Sequence, residues 1–298
     1  MKTSFGAMTG RERLCFVLKY LFMALCVVVA LFPIIWVILS SFKTNAEILS
    51  NGISLPTHFG FDGYQSALDM APIFKFFGNS VIVTCCATVL NVLVFAMAGY
   101  AFARFRFPCD KLLYMLLSLS LVIPMTALLQ PVYSVVNNLG LYDTKAGLIL
   151  VNTALNMPMS LLILRGAFQS IPKAIEEAAY IDGANELQIL WKVIVPLCKP
   201  ALATFTLFHA VGHWNGYFNA TMYINSRDKW PLMLIVREMV AESGTSMVHQ
   251  SATAIEDLAQ PFTLQMAIII FTIIPILCVY PFVQKYFMKG MLMGSVKG

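Results

Sequence analysis

Two histidines four residues apart, His209 and His213, are the first place where this chain could do chemistry. Spacing of i, i+4 puts both imidazoles on one face of a helix, where they could serve as two metal ligands. No third ligand stands near them, and the pair lacks the glutamate that makes HExxH a hydrolytic zinc site. Packing or helix–helix hydrogen bonding is the expected use, with no metal bound. The adjoining segment HWNGYFN, residues 213–219, offers another chemistry. Trp214, Tyr217 and Phe218 have faces that stack on sugar rings, and Asn215 and Asn219 have amides that bond hydroxyl groups. Asn79, Asn91, Asn152 and Asn156 could extend such a hydrated route, or bond neighbouring helices, the commoner use of amides in membranes. Aromatic residues also anchor helices at membrane interfaces. No acid, Ser-His-Asp order or metal set joins these residues, so no catalytic residue is assigned.

The elements that carry them are set by composition. Of 298 residues 59% are hydrophobic and 12% charged, with mean hydropathy +0.76, whereas soluble domains carry about 25% charged residues. Six stretches free of Asp, Glu, Lys and Arg run over about 20–41, 76–103, 112–136, 146–164, 200–224 and 258–284. Each is long enough to cross a bilayer. None shows the period-2 alternation of a barrel strand, so all six are expected to be helices. The first is expected to be retained, because its apolar core exceeds a signal-peptide h-region and SSFKTN offers no small-residue cleavage site.

With a cytoplasmic N-terminus, fourteen of the 20 Lys and Arg residues fall on the inner side. The positive-inside rule then places both termini and residues 165–199 in the cytoplasm, with residues 42–75 and 225–257 outside. The net charge of +5 reflects this topology and gives no argument for nucleic acid. Seven cysteines without CxxC spacing are expected to be reduced, packed thiols. No acid lies within the six runs, which leaves little support for proton or sodium coupling. No GxxxxGK[ST] loop is present, so ATP, if used, is hydrolysed elsewhere.

Against this background residues 176–200, EEAAYIDGANELQILWKVIVPLCKP, are conspicuously polar. Pro172 suits a helix start, Glu176 and Glu177 suit its early turns, and Asp182-Gly183 suits a break. A second helix fits residues 184–192, ahead of Pro196. The expected product is a helix–turn–helix knob on the cytoplasmic face. Ala178, Ala179 and Gly183 are small enough to let another protein approach closely.

Glu177-Ala178-Ala179, three residues, Gly183, nine residues and Val193-Ile194-Val195-Pro196 resemble the EAA loop of ABC importer permeases. Valine replaces the usual Ile and Leu, which preserves apolar character. With IPKAIEEAAYIDGAN, the Trp214-Asn215 pair and the terminus YFMKGMLMGSVKG, nearly the whole chain is similar to MalG-type permeases of carbohydrate ABC importers.

The resemblance implies an all-α membrane protein with six transmembrane helices of the type I importer (MetI-like) fold, in the bacterial cytoplasmic membrane. It implies residues 1–75 as an N-terminal segment with the first helix and outer loop, residues 76–288 as the permease core, and 289–298 as a cytoplasmic tail. Within the core lie the coupling loop, 172–196, and an outer loop, 225–257. It further implies that Glu177, Ala178, Ala179, Gly183 and Pro196, with Asp182 added as a turn former, dock on an ATPase. Gly290, Gly294, Lys297 and Gly298 would reach the interface of two such ATPase subunits, or form a basic terminus near anionic lipid. The outer residues Arg237, Glu238, Glu242, Ser243, Gly244 and Glu256 would meet an extracytoplasmic solute-binding protein, or simply join two spans. A second, MalF-type permease would complete the pathway. ATP and Mg would belong to the ATPase, with no cofactor on this chain. Oligosaccharides from complex polysaccharides or glycans, acidic ones included, are the implied substrate. The candidate path is Trp214, Asn215, Tyr217, Asn219, Asn152 and Asn156; an ATP-independent carrier or channel is the alternative.

Overall fold

The computed structural model describes the backbone of residues 10–57, 59–249 and 262–295. Every regular element among them is helical, and they divide between two compact units.

The first unit takes the described parts of residues 1–71 and 242–271. Its helices α1 (Gly10–Ser40), α2 (Asn45–Ser50) and α3 (Asp62–Met70) follow one another with short connections. The apolar stretch of α1 buries nothing against this chain, as suits a surface facing lipid or another membrane protein. Its end is fastened, because the Trp36 indole and the Lys43 ammonium both donate to the Gly52 carbonyl at 2.8 Å. Thr44 then caps α2 through a reciprocal pair with Glu47.

The second unit takes residues 72–241 and the part of the C-terminal helix from Thr272. It is built on α4 (Ile73–Arg104), followed by α5 (Asp110–Leu119), α6 (Met125–Asn138), α7 (Lys145–Leu155) and α8 (Met157–Gln169). The polar loop supplies α9 (Lys173–Ile181), α10 (Glu186–Gln188), a π-helical segment at Ile189–Ile194 and α11 (Val195–Leu197). Then come α12 (Lys199–Asn215), α13 (Phe218–Tyr223), α14 (Leu232–His249) and α15 (Phe262–Ser295).

Among the described residues three of the apolar runs form single unbroken helices long enough to span a membrane: Arg13–Ser40, Ile73–Arg104 and Phe262–Pro281. The other three are bent pairs. α5 and its 3₁₀ extension meet α6 at 113°, α7 meets α8 at 54°, and Glu186–Leu197 meets α12 at 86°. Each break adjoins a proline, Pro124, Pro158 or Pro200, which cannot donate to the preceding turn. The run at 200–224 is likewise divided, since α12 stops at Asn215 and α13 starts at Phe218. The expected outer loop at 225–257 contains helix α14. Cysteine packing also differs from expectation: only Cys198 is buried, and the other six thiols are exposed on this chain.

Polar residues on the packed face of α4 act as internal ties. The Asn79 amide donates to the carbonyls of Asp228 and Trp230 at 3.0 and 2.9 Å, and the Ser80 hydroxyl accepts from the Leu232 amide at 2.8 Å. At Gly99 a Cβ would stand 3.0 Å from Leu164 Cβ and 3.2 Å from the Arg165 nitrogen. A small residue there lets α4 and α8 cross closely. Around that crossing Phe95, Ala96 and Tyr100 pack with Leu164 and Phe168. Ile189, Leu190, Ile194, Leu202 and Phe205 complete the same cluster, so the second half of the polar loop belongs to the core.

Candidate functional site

Helix α9 begins behind Pro172 and presents two unlike faces. Glu176 is 5% exposed and pairs with Arg104 at 2.5 Å, while neighbouring Glu177 is exposed. Arg104 also donates to the carbonyls of Phe168 and Ile171, both at 2.9 Å, closing the turn that ends α8. Burial pushes the Glu176 carboxyl above its ordinary range, and the guanidinium pulls it back. Removing one partner of such a pair costs about 3–5 kcal/mol, because the other charge stays buried.

The far end of α9 closes with two backbone bonds, Gly183 to Tyr180 and Ala184 to Ala179, both at 3.0 Å. This is the Schellman arrangement, and it needs a left-handed residue. Gly183 supplies it with φ +81°. Asp182 is the exposed cap residue of this turn.

Asn185 starts α10 with a capping box to Gln188. Glu186 accepts from Tyr100 Oη at 3.2 Å and also from the Tyr180 hydroxyl. That bond to Glu186 is the largest influence raising the Tyr180 phenol to about 12. Pro196 lies in α11 just beyond the π-helical segment, at the expected end of the loop. Glu177 and Ala178 are exposed, Ala179 packs on the core, and Ile181 is 86% exposed. The result is a knob with one face fastened to α4 and the opposite face open.

A second feature lies among α7, α8, α12 and α13: a cleft of about 440 Å³ lined by Asn152, Asn156, His209, His213 and Asn219. Phe205, Phe208, Met159 and Ile163 supply its apolar walls, and among the described residues no charged one lines it. Asn219 Nδ2 donates to Asn152 Oδ1 at 2.8 Å, and Asn156 Nδ2 donates to the Asn152 carbonyl at 2.6 Å. Behind the wall, Asn91 Nδ2 lies 2.9 Å from His213 Nε2 and 3.3 Å from His209 Nδ1. Those ring nitrogens accept, which leaves the His209 Nε2 proton to donate to Ser160 Oγ at 3.1 Å. The histidines therefore join three helices, as their spacing suggested.

Three of the six path residues, Asn152, Asn156 and Asn219, come together in this cleft. Trp214 does not join them. It is 7% exposed, donates to the Thr272 carbonyl at 3.0 Å and packs edge-on against Phe77. Asn215 and Tyr217 are exposed, and the Arg237 guanidinium lies 4.7 Å from the Tyr217 ring centre. The aromatic side chains on the cleft are instead Phe205 and Phe208, which share a helical stripe with His209 and Gly212. That stripe was available in the sequence as i, i+3, i+4, i+7 spacing.

Between α6 and α7, Asp143 accepts from Lys229 Nζ at 2.8 Å and Ser226 Oγ at 2.5 Å. The Lys229 bond is the largest cause holding its carboxyl well below the usual range. Arg227 pairs with Glu238 at 3.0 Å. Residues 242–244 continue the backbone of α14, and Glu256 lies outside the described residues. Gly290 and Gly294 fall on the last turns of α15, whereas Lys297 and Gly298 lie outside the described residues.

A polytopic helical chain that joins an open helix–turn–helix to an uncharged polar cleft has the architecture of a membrane transport permease. Residues 95–293 match the family described as binding-protein-dependent transport system inner membrane component, and the chain belongs to that family. It is thus a multi-pass protein of the bacterial cytoplasmic membrane, a transport component of ABC importers. It is 37% identical to the polygalacturonan/rhamnogalacturonan transport system permease protein YtcP of Bacillus subtilis, over 97% of this chain and 100% of that one. It is 33% identical to the diacetylchitobiose uptake system permease protein NgcG of Streptomyces coelicolor, over 91% of this chain and 85% of the relative. A solved bacterial ABC transporter involved in the import of the acidic polysaccharide alginate contains a chain with TM-score 0.77 and 29% identity. The match covers 94% of this chain and 99% of that one.

Proposed function

We propose that this chain is one of two permeases in an ATP-driven importer of oligosaccharides derived from complex polysaccharides, acidic ones included. The observation that carries the reading is the two-faced α9 knob, whose inner face is tied to the bundle by Arg104–Glu176 while Glu177, Ala178 and Ile181 stand open. A motor docking on the open face would move the bundle through the tied one. The basic excess on the same side supports a cytoplasmic knob and cytoplasmic termini.

Two ATPase subunits would supply ATP hydrolysis with Mg, and Gly290, Gly294, Lys297 and Gly298 would approach their interface. A MalF-type permease would furnish the other half of the path. An extracytoplasmic binding protein would deliver sugar to the segment around Arg237 and Glu238. Amides and imidazoles in the cleft suit sugar hydroxyls, and the lack of fixed charge favours passage over retention. YtcP and the alginate importer motivate the acidic class, and NgcG keeps neutral oligosaccharides within it.

The test is reconstitution in lipid with the partner permease, ATPase and binding protein, across neutral and uronate oligosaccharides. ATP hydrolysis stimulated by one sugar, only with binding protein present, is the expected result. Sugar movement at full rate without ATP would overturn the reading in favour of a carrier.

A further inference from the structure

We infer that α4 carries the stroke between the coupling loop and the cleft, through a two-point latch of Tyr100 and Arg104. This rests on the importer reading above and names residues that transmit within it.

Tyr100 and Arg104 are one turn apart on α4 and take hold of different parts of the loop. Arg104 pairs with Glu176 on α9, and Tyr100 Oη donates to Glu186 on α10 at 3.2 Å. Tyr180 of α9 donates to the same Glu186, which ties the two short helices together as well as to α4. A single attachment would leave the knob free to pivot; two attachments a turn apart, with a cross-brace, oppose rotation. Arg104 extends the grip to the end of α8 through the Phe168 and Ile171 carbonyls.

Higher on the same helix Asn91 holds His209 and His213 of α12, on the wall of the cleft. Thirteen residues separate Asn91 from Arg104, a distance of about 20 Å along a helix. Arg104 and Asn91 lie on well-separated faces, because thirteen steps of about 100° leave them roughly 140° apart. The helix is therefore gripped on one face by the loop and on another by the cleft wall. Glu186 falls among the nine unspecified positions of the EAA pattern, and Tyr100, Arg104 and Asn91 stand far from it in sequence. These four are positioning residues, acting on the path through α4.

The test compares the full reconstituted assembly with wild type, Tyr100→Phe, Glu186→Gln and Asn91→Leu permease. The sugar used is the one from the neutral and uronate panel that most stimulates wild type. Tyr100→Phe removes one hydroxyl, so loss of folding does not confound it. Each variant is expected to retain ATPase co-purification and unstimulated hydrolysis within about twofold, and to deliver sugar per ATP reduced by about fivefold or more, within the range of measured coupling. Tyr100→Phe/Glu186→Gln should be no worse than the stronger single variant, because both act on one link, Phe removing its donor and Gln weakening its acceptor. Arg104→Lys, which keeps charge but loses the forked donor set, should fall between wild type and Tyr100→Phe.

Unchanged sugar per ATP in Tyr100→Phe and Glu186→Gln would overturn the latch while leaving the importer reading intact. Loss of transport in proportion to lost ATPase co-purification would also overturn it, by assigning these residues to assembly alone. A wild-type assembly unstimulated by any sugar would remove the importer reading and the latch together.

Discussion

The α9–α10 knob and the polar cleft sit on the same helical unit and are held by different chemistries. The loop is secured through carboxyl groups, Arg104 with Glu176 and Glu186 with two tyrosines, whereas the cleft is secured by amides and imidazoles. Ionised groups within a bilayer are costly, so a transmembrane framework uses neutral hydrogen bonds. At the loop, a carboxyl set against a guanidinium gives a stronger and more directional tie than an amide does. The contrast separates a part suited to bearing force from a part suited to releasing solute.

The sharpest way to break that contrast is at the buried pair. Glu176→Ala should destabilise the purified permease by about 3–5 kcal/mol, read as an earlier thermal unfolding transition in detergent, because Arg104 is left buried and unpaired. Arg104→Met/Glu176→Leu should recover most of that loss. Recovery of stability without recovery of transport would sharpen the division between holding the loop and driving through it.

Gly183→Val should follow at about 1–3 kcal/mol of local strain, because its φ of +81° excludes a β-branched residue. Its expected signature is membrane insertion at wild-type level with uptake abolished. Normal uptake would show that the turn is not a required part of the coupling path.

In the cleft the effect should be smaller. Asn219→Ala removes one neutral interhelical bond, for which about 0.6 kcal/mol is typical in membrane proteins. Thermal stability should scarcely move while the apparent affinity for sugar changes. A loss as large as that of Glu176→Ala would remove the distinction between the two regions.

The smallest effect is expected at Asp143 and Lys229, in the pH dependence of stability. Asp143 has a lowered pKa in the folded chain, so its stabilisation is complete above the ordinary carboxylate range. It is lost as pH falls through that range toward the lowered value. Wild type and Asp143→Asn should therefore differ in melting temperature at neutral pH and converge in acid.

The apolar runs and the EAA spacing made the helical membrane fold and the helix–turn–helix at residues 173–192 legible in the sequence. Continuous hydrophobicity does not reveal a bend, and the breaks near Pro124, Pro158 and Pro200 become evident only when the backbone is traced. Glu176 and Glu177 looked alike as early acids on a helix. Which one turns inward depends on Arg104, seventy-two residues earlier, and no local pattern records that pairing. Trp214 has a ring suited to stacking on sugar, yet its orientation follows from the Thr272 carbonyl and Phe77. Phe205 and Phe208, by contrast, sat in a readable helical stripe with His209.

The central claim is that the open face of α9 receives an ATPase, and Ile181 is its most exposed apolar residue. Co-purification of the ATPase with Ile181→Glu permease, at matched membrane levels, tests it directly. Loss of an apolar anchor is expected to weaken the complex by about 2 kcal/mol or more, roughly thirtyfold, and to abolish sugar-stimulated hydrolysis. Wild-type co-purification and wild-type stimulation would contradict the claim.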